Sequence, residues 1–331
     1  MHLREEKMLQ TVARYSSRIN RRCVVMPNLN SPIITFEQGL QYKNLINSAV
    51  KNPDFIPLLP CYLNEDLNLI NFQEGLKREI FFGAKLYPSN STTNSKFGVS
   101  NIENIFPSLK ILEDLKKPLL IHGEKVAKNI DIFDREKYFI DEELINIRKK
   151  FPNLKIVLEH VSSKYGADFV NDNQNIGATI TPQHMLLTKK DVFIGNSINP
   201  HNFCMPVVKE EKDLIALRNY ATSGNEKFFL GTDSAPHHIN SKTSDLSSKP
   251  GIFSAPCSIE IYTSIFDEES ALQNLENFCS LNGPKFYGLK NNDKTVEIIN
   301  EKWKVPEFTI FEDIKIKNFL GGKELNWKVR E

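Results

Sequence analysis

Short apolar runs with many Val, Ile, Leu and Phe residues recur along the chain, and segments of helical periodicity separate most of them. Seven such runs lie at Cys23–Met26, Phe55–Leu63, Phe81–Leu86, Pro118–Ile121, Lys155–Leu158, Gly177–Ile180 and Lys227–Leu230. The clearest helical segments are Thr35–Val50, Asn104–Leu115, Asp141–Lys150, Glu211–Thr222 and Ile259–Leu281. Strands buried on both faces have continuous apolar sequences, and their alternation with helices predicts a parallel sheet.

Polar residues follow most of these predicted strands. They include Asn28, Lys85, His122, Glu159, His160, Thr181, His184 and Asp233. A doubly wound sheet gathers its ligand-binding residues at one crevice, whereas a (β/α)₈ barrel gathers them from nearly every strand. The pattern therefore favours a (β/α)₈ TIM barrel in which one strand is missing. We expect residues 1–331 to form a single domain, with about 291–331 as a C-terminal extension on the barrel.

Composition and charge narrow the class of protein. The chain has 331 residues, 25% charged and 40% hydrophobic, with a formal net charge of +1. This balance argues against nucleic acid or an anionic membrane as the main partner. No apolar run approaches the roughly 20 residues that span a bilayer, and the start of the chain has no signal-peptide core. Five cysteines without close pairing are typical of reduced thiols, which predicts a cytoplasmic protein.

Five residues at strand ends or at the chain start have the chemistry of a metal site: His2, Lys85, His122, His160 and Asp233. Imidazole and carboxylate groups are the usual ligands of hydrolytic Zn²⁺. Each residue alone also has a structural explanation, since Asp233 could cap a helix and a single histidine could be a core residue. Lys85 must find a partner or lose its charge if its strand is buried. Together the five residues predict a metal centre.

Six segments match one known family in order and spacing: Gly83–Pro88 with Thr92–Asn94, Pro118–Glu124, Leu158–His160, Ala178–His184, Gly231–His237 and Asn282–Gly288. Over essentially the whole chain they resemble dihydroorotases of the single-function bacterial type. These are metal-dependent cyclic-amide hydrolases of the amidohydrolase superfamily. The resemblance implies interconversion of N-carbamoyl-L-aspartate and dihydroorotate in pyrimidine biosynthesis. It also implies a small-molecule substrate and a homodimer.

The resemblance further implies two divalent metal ions, with Zn²⁺ expected, bridged by a Lys85 that is carboxylated on its side-chain nitrogen. His122 and His160 would hold one ion with that bridge, and Asp233 would hold the other with a His-x-His pair that includes His2. Two ions about 3.5–4 Å apart activate a water molecule as nucleophile and polarise the scissile carbonyl. Asp233 would take a proton from that water and return it to the leaving amide nitrogen.

A substrate site is implied by the same resemblance, and its residues are Arg4, Asn28, Thr92, Thr93, Met205, His237 and Gly251. Arg4, Asn28 and His237 would bind the carboxylate of dihydroorotate, because an arginine fork can hold a carboxylate with two hydrogen bonds. Backbone groups near Met205 and Gly251 would hold the ring amide. The loop with Thr92 and Thr93 would close over the substrate and exclude water. His184, His201 and His238 have no assigned role.

The start of the chain departs from the family pattern. Met1-His2-Leu3-Arg4 matches only the end of the family's His-x-His-Leu-Arg segment, and the strand before it is missing. One explanation is a start codon assigned too late, so that upstream codons encode an apolar strand with a histidine two residues before His2. The other is a genuine variant with an incomplete centre. Either way we expect His2 on an unpaired terminus, two open strand edges and a weak catalyst with closer to one metal than two.

Two other functions compete with this interpretation. One is a different cyclic amidohydrolase, such as a hydantoinase or allantoinase, whose substrates lack the carboxylate that Arg4, Asn28 and His237 would bind. The other is a non-catalytic homologue that binds a partner such as aspartate carbamoyltransferase. A scaffold has no physical need for Lys85, His122, His160 and Asp233 to converge, so the enzyme is favoured.

Overall fold

The computed structural model describes residues 1–330, which contain eleven α-helices and fourteen β-strands. The helices are α1 (Glu6–Ile19), α2 (Phe36–Ala49), α3 (Leu69–Lys77), α4 (Phe106–Asp114), α5 (Arg135–Phe139), α6 (Ile145–Lys150), α7 (Lys164–Asp172), α8 (Lys189–Val192), α9 (Glu211–Thr222), α10 (Ser258–Glu268) and α11 (Asn282–Tyr287). The strands are β1 (Arg22–Val24), β2 (Ile56–Leu58), β3 (Cys61–Tyr62), β4 (Ala84–Leu86), β5 (Leu119–Ile121), β6 (Ile156–Leu158), β7 (Ile176–Ile180), β8 (Phe193–Ile194), β9 (Ser197–Ile198), β10 (Phe228–Leu230), β11 (Ile298–Lys304), β12 (Phe308–Phe311), β13 (Ile314–Lys317) and β14 (Glu324–Val329). Within this part of the chain, no helix is both long and apolar enough to cross a membrane.

The central sheet is parallel, as the alternation of strands and helices predicts. Six strands pair in the order β10-β7-β6-β5-β4-β3, and all five pairings are parallel. Every residue of β4, β5 and β6 is buried, which explains why these strands have continuous apolar sequences. A separate parallel pair joins β1 to β2. All seven predicted apolar runs overlap a strand, and the run Phe55–Leu63 contains two, β2 and β3.

The first residues of the chain are paired, so the expectation of an unpaired terminus is wrong. The Met1 amino group donates to the Val24 carbonyl at 2.9 Å, and the Met26 amide donates to the Met1 carbonyl at 3.0 Å. On the other side, the His2 amide donates to the Ser234 carbonyl at 2.9 Å. Buried backbone groups require partners, and Met1 and His2 supply them to the segments on both sides.

The helices follow the sequence pattern with one clear exception. Thr35 and Gln38 form a capping box at the start of α2, where the predicted segment begins, and α9 has the predicted bounds. The single helix predicted over Ile259–Leu281 is wrong. Helix α10 ends at Glu268, and Ser270 has a positive φ of 53°, a conformation that cannot continue a right-handed helix.

Residues 298–329 form two antiparallel strand pairs, β11 with β14 and β12 with β13. The indole nitrogen of Trp327 donates to Asp267 at 3.1 Å, and the Phe319 amide donates to the Phe253 carbonyl at 2.9 Å. These contacts attach the tail to α10 and to the segment that precedes it.

Candidate active site

The predicted metal-binding residues lie at the carboxyl ends of the central strands. Lys85 belongs to β4, and His122 and His160 follow β5 and β6 closely; all three are at most 5% exposed. Because the strands are parallel and in register, their ends meet at one edge of the sheet. We call Lys85, His122 and His160 the sheet half of the site.

His2 and Asp233 form the other half, which we call the seam half because residues 1–3 join two parts of the chain there. The His2 Nε2 atom lies 3.1 Å from Asp233 Oδ1. In the sheet half, His122 Nδ1 lies 3.2 Å from His160 Nε2. The structure therefore brings four of the predicted ligands together as two close pairs.

Glu124 orients the ring of His122, a role that the sequence analysis did not assign. The His122 Nε2 atom lies 2.7 Å from a carboxylate oxygen of Glu124, which is fully buried. A carboxylate on one ring nitrogen fixes the proton there and leaves the lone pair of the other nitrogen free, as in many metal-binding histidines. His122 Nδ1 is thus aimed at His160 in its ligand form. The sequence signal was the two-residue spacing in His122-Gly123-Glu124.

Lys85 has a partner that the sequence analysis did not identify. Its ammonium donates to the Glu159 carboxylate, and it lies 4.9 Å from the ring centroid of Tyr87. A buried ammonium requires an anionic partner, and Lys85 is 1% exposed. The predicted role of Lys85 as a carboxylated bridge stays a prediction.

The donor set suits a metal ion, although no three His, Cys, Asp or Glu side chains of residues 1–330 already converge on one point. Two nitrogens on one tetrahedral zinc, each about 2.0–2.1 Å from it, would lie about 3.3 Å apart. The His122 and His160 nitrogens are 3.2 Å apart. The Nδ1 atom of His160 is buried and has no hydrogen-bond partner among the described residues.

Electrostatics favour the protonation states that bind metals. Burial, together with the charge of Arg4, lowers the pKa of His2 to about 4. Burial and His122 lower the pKa of His160 well below its ordinary value. Burial alone would raise the pKa of Asp233, but the hydrogen bond and charge of His2 outweigh it and hold that pKa well below the usual range. Neutral imidazoles and an ionised carboxylate are the forms that ligate metals.

Three site residues have strained backbone conformations. Arg4, His160 and Asp233 have positive φ values of 61°, 44° and 41°. Such conformations are unfavourable for residues other than glycine and cluster at functional sites. The strain supports a functional reason for these three positions.

Arg4 and His237, two of the predicted carboxylate-binding residues, lie in contact. Arg4 Nη2 is 3.0 Å from His237 Nε2, and Arg4 Nε donates to the Pro236 carbonyl at 3.0 Å. The Tyr42 hydroxyl donates to the Arg4 carbonyl at 2.7 Å. His237 Nε2 also lies 3.0 Å from the Pro250 carbonyl, so this nitrogen can accept from Arg4 or donate to Pro250 but not both at once.

Asn28 contacts the predicted substrate-covering loop. Its side-chain amide donates to the Thr93 carbonyl at 2.9 Å, and Asn94 donates to the Asn28 carbonyl at 3.0 Å. The Oδ1 atom of Asn28 and the hydroxyl of Thr93 are buried without hydrogen-bond partners among the residues described. Both atoms therefore have hydrogen-bonding capacity that the described chain does not use. Thr92 lies in the same turn, where its carbonyl accepts from the Ser95 hydroxyl.

Gly251 and Met205 lie on two segments that are hydrogen-bonded to each other. The Gly251 amide donates to the Phe203 carbonyl at 2.9 Å. Gly251 has a φ of +148°, and a Cβ there would meet the Ala235 carbonyl at 2.5 Å and the His237 ring at 2.9 Å. Only glycine allows this close approach to His237.

His184, which had no assigned role, supports the segment that contains Met205. Its Nδ1 atom lies 2.7 Å from the Thr181 hydroxyl, and its Nε2 atom lies 3.0 Å from the Pro206 carbonyl. The sequence placed it after a strand, but only the fold shows what it contacts.

A cavity of about 180 Å³ lies beside both pairs. Its lining includes Met1, Glu159, His160 and Asp233 but neither Arg4 nor His237. The predicted carboxylate-binding residues thus lie outside this cavity.

Known proteins are similar to this chain over its whole length. No family model matches the chain. Curated relatives include a dihydroorotase from Yersinia pseudotuberculosis serotype O:1b, 45% identical over 332 residues that cover 100% of this chain and 95% of the relative. Another is a dihydroorotase from Buchnera aphidicola subsp. Schizaphis graminum, 42% identical over 334 residues with the same coverage.

Solved structures give the same result. The dihydroorotase of Saccharomyces cerevisiae in complex with 5-fluoroorotic acid has a TM-score of 0.93 and 31% identity, covering 100% of this chain and 95% of that one. The Campylobacter jejuni dihydroorotase has a TM-score of 0.88 and 35% identity, covering 100% and 94%. The L-hydantoinase of Arthrobacter aurescens has a TM-score of 0.82 at 15% identity, with 99% and 80% covered, which is a likeness of fold alone.

Proposed function

The chain belongs to the dihydroorotase family, whose members are hydrolases that act on cyclic amides, and we propose that it interconverts N-carbamoyl-L-aspartate and dihydroorotate in pyrimidine biosynthesis. The supporting observation is that full-length relatives share 45% of its residues, while its own strand ends place His122 beside His160 and His2 beside Asp233. A cytoplasmic location, predicted from the reduced cysteines, and a homodimer, expected from the resemblance, are part of this proposal.

The proposal includes a (β/α)₈ TIM barrel that lacks most of its first strand. The strands follow one another around it as residues 1–3, β1, the segment β2-β3, β4, β5, β6, β7 and β10. The six-stranded sheet and the β1-β2 pair supply most of this order, and the hydrogen bonds of residues 1–3 to Val24, Met26 and Ser234 link the two ends. Residues 291–330 would be an extension of this single domain, and Glu331, the last residue of the predicted extension, lies outside the described residues.

The residues fit two divalent metal ions, with Zn²⁺ expected. His122 and His160 would hold one ion and His2 and Asp233 the other, with a carboxylated Lys85 shared between them. Carboxylation would turn the Lys85 ammonium into an anion, so its attraction to Glu159 would be lost. When bound, the ions would lower the pKa of water and polarise the substrate carbonyl.

The chain's own residues would bind the substrate and move the proton. Arg4, Asn28 and His237 would hold the substrate carboxylate and orient the ring, which fixes the position of its amide carbon. Asp233, ionised at neutral pH, would accept the proton of the attacking water and pass it to the leaving amide nitrogen. The loop with Thr92 and Thr93 would exclude bulk water.

The test compares L-dihydroorotate with hydantoin as substrates of the purified chain, with Asp233→Asn as the control variant. We expect hydrolysis of dihydroorotate, little hydrolysis of hydantoin, inhibition by the yeast enzyme's ligand 5-fluoroorotate, and no turnover by Asp233→Asn. Faster hydrolysis of hydantoin, or equal rates in the variant, would contradict the proposal.

A further inference from the structure

Lys242 lies on the loop between Asp233 and Gly251 and binds three backbone carbonyls. Its partly buried ammonium donates to the carbonyls of Lys249 and Gly251, each at 2.8 Å, and approaches that of Phe203 at 3.5 Å. An ammonium has three N–H donors, so these three oxygens use its full capacity.

The three carbonyls belong to two segments that meet at the substrate side of the site. One segment contains Phe203 and Met205, the other Lys249 and Gly251, and the Gly251 amide donates to Phe203 across them. Under the proposed function, backbone groups at Met205 and Gly251 hold the ring amide of the substrate. Lys242 therefore connects both halves of that backbone cradle.

The charge of Lys242 also acts on the carboxylate-binding residues. The titratable groups that face it are Arg4, His201, Cys204 and His237. In the described part of the chain no carboxylate forms an ion pair with it. Burial lowers the pKa of Lys242 to about 8, with Cys204 opposing and Arg4 reinforcing the shift. An uncompensated cation beside Arg4 attracts an anionic ligand.

We propose that Lys242 is a positioning residue for the substrate, because its ammonium fixes the segments of Met205 and Gly251 relative to each other and to the carboxylate site. This inference rests on the proposed function for the identity of the ligand. It predicts that the loss of Lys242 weakens ligand binding, with a smaller effect on the rate of the bound substrate.

The experiment measures the Kd of 5-fluoroorotate by calorimetry, together with kcat and KM for dihydroorotate. Lys242→Met is compared with Lys212→Met, which removes the same charge from an exposed side chain on α9, away from the cradle. We expect Lys242→Met to raise Kd and KM about tenfold and kcat to change by less than about threefold. Lys212→Met should stay within about twofold of the unaltered chain, and Lys242→Arg should recover part of the affinity.

The pH profile gives a readout that a purely structural role would not change. Between about pH 7 and 9 the Lys242 ammonium loses a proton and one of its three donors, so the Kd of the unaltered chain should rise, and this rise should be absent in Lys242→Met. A flat profile in the unaltered chain overturns the inference even if the variant does not fold. Equal Kd values for both methionine variants, or a fall in kcat alone, also overturn it. Absent turnover on dihydroorotate with Lys242-dependent binding of 5-fluoroorotate would instead refute the proposed function.

Discussion

The two halves of the site are attached to the fold in different ways. In the sheet half, Lys85 lies on β4, and His122 and His160 closely follow the two adjacent strands. In the seam half, His2 lies on a segment outside the six-stranded sheet. The sheet half is held by the continuous ladder of β4, β5 and β6, whose residues are all buried. The seam half depends on backbone hydrogen bonds of Met1 and His2 to the segments on either side.

The candidate ligands of one site can therefore differ in how rigidly the fold holds them. Groups on packed strands keep their geometry without a metal ion, while groups held by a few hydrogen bonds gain more of their order from it. The sheet half also has two imidazoles, and the seam half of the described chain has one. We therefore expect the sheet half to bind its ion more tightly.

The largest effect should come from removing Lys85, which under the proposed function would be shared by both metal ions. Lys85→Ala should lower turnover by about three orders of magnitude and strip most of the metal, because the proposed bridging ligand would be lost. Added short carboxylic acids should restore part of the activity. Metal analysis and kinetics check this, with the exposed Lys110→Ala on α4 as control. Full metal content in Lys85→Ala would refute a shared ligand.

Separate substitutions in the two halves test whether the sheet half binds its ion more tightly than the seam half. We expect the unaltered chain to hold closer to one ion than two. His122→Asn should then reduce the metal content towards zero, while His2→Asn should leave close to one ion, and each should lower turnover about a hundredfold. Two tightly held ions in the unaltered chain, or equal losses in both variants, would show that the halves are equivalent.

Arg4→Lys should weaken substrate binding without lowering the metal content of either half of the site. Lysine keeps the charge but loses the planar fork, so binding of dihydroorotate should weaken by about 1–3 kcal/mol while metal content stays unchanged. Arg14→Lys on α1 is the matched control, since Arg14 is exposed. If metal content and affinity fall together, Arg4 supports the seam half instead of the substrate.

The smallest expected effect is a change in the free energy of unfolding with pH, caused by His184. Burial lowers the pKa of His184 to about 4 from 6.5, so the unfolded chain takes up a proton first as the pH falls below 6.5. The free energy of unfolding should therefore drop by about 1–2 kcal/mol between pH 7 and 5 from this residue. Urea titrations of the unaltered chain and His184→Gln test this, and identical pH slopes would exclude His184 as the cause.

Much of the fold could be predicted because strands buried on both faces have apolar sequences. The polar residues after those strands could be predicted as one site, since parallel strands end at the same edge. The pairing of Met1 and His2 could not be predicted, because so short a segment has no periodicity and its partners lie more than 20 and 230 positions away.

The sequence also could not show which buried polar groups would become hydrogen-bond partners. Glu124 and Glu159 follow strands in the sequence, but nothing local distinguishes a ring-orienting carboxylate from the partner of a lysine. The assignments to His122 and Lys85 depend on distances between strands. The support of Pro206 by His184 likewise depends on two loops whose sequences share no pattern.

The most direct test of a metal-dependent site at these strand ends is a zinc titration of the metal-free chain, with hydrolysis of dihydroorotate as the readout. We predict no turnover without metal, a rise as zinc is added, and no rise in His122→Asn. Hydrolysis by the metal-free chain at the rate of the zinc-loaded chain would contradict the account.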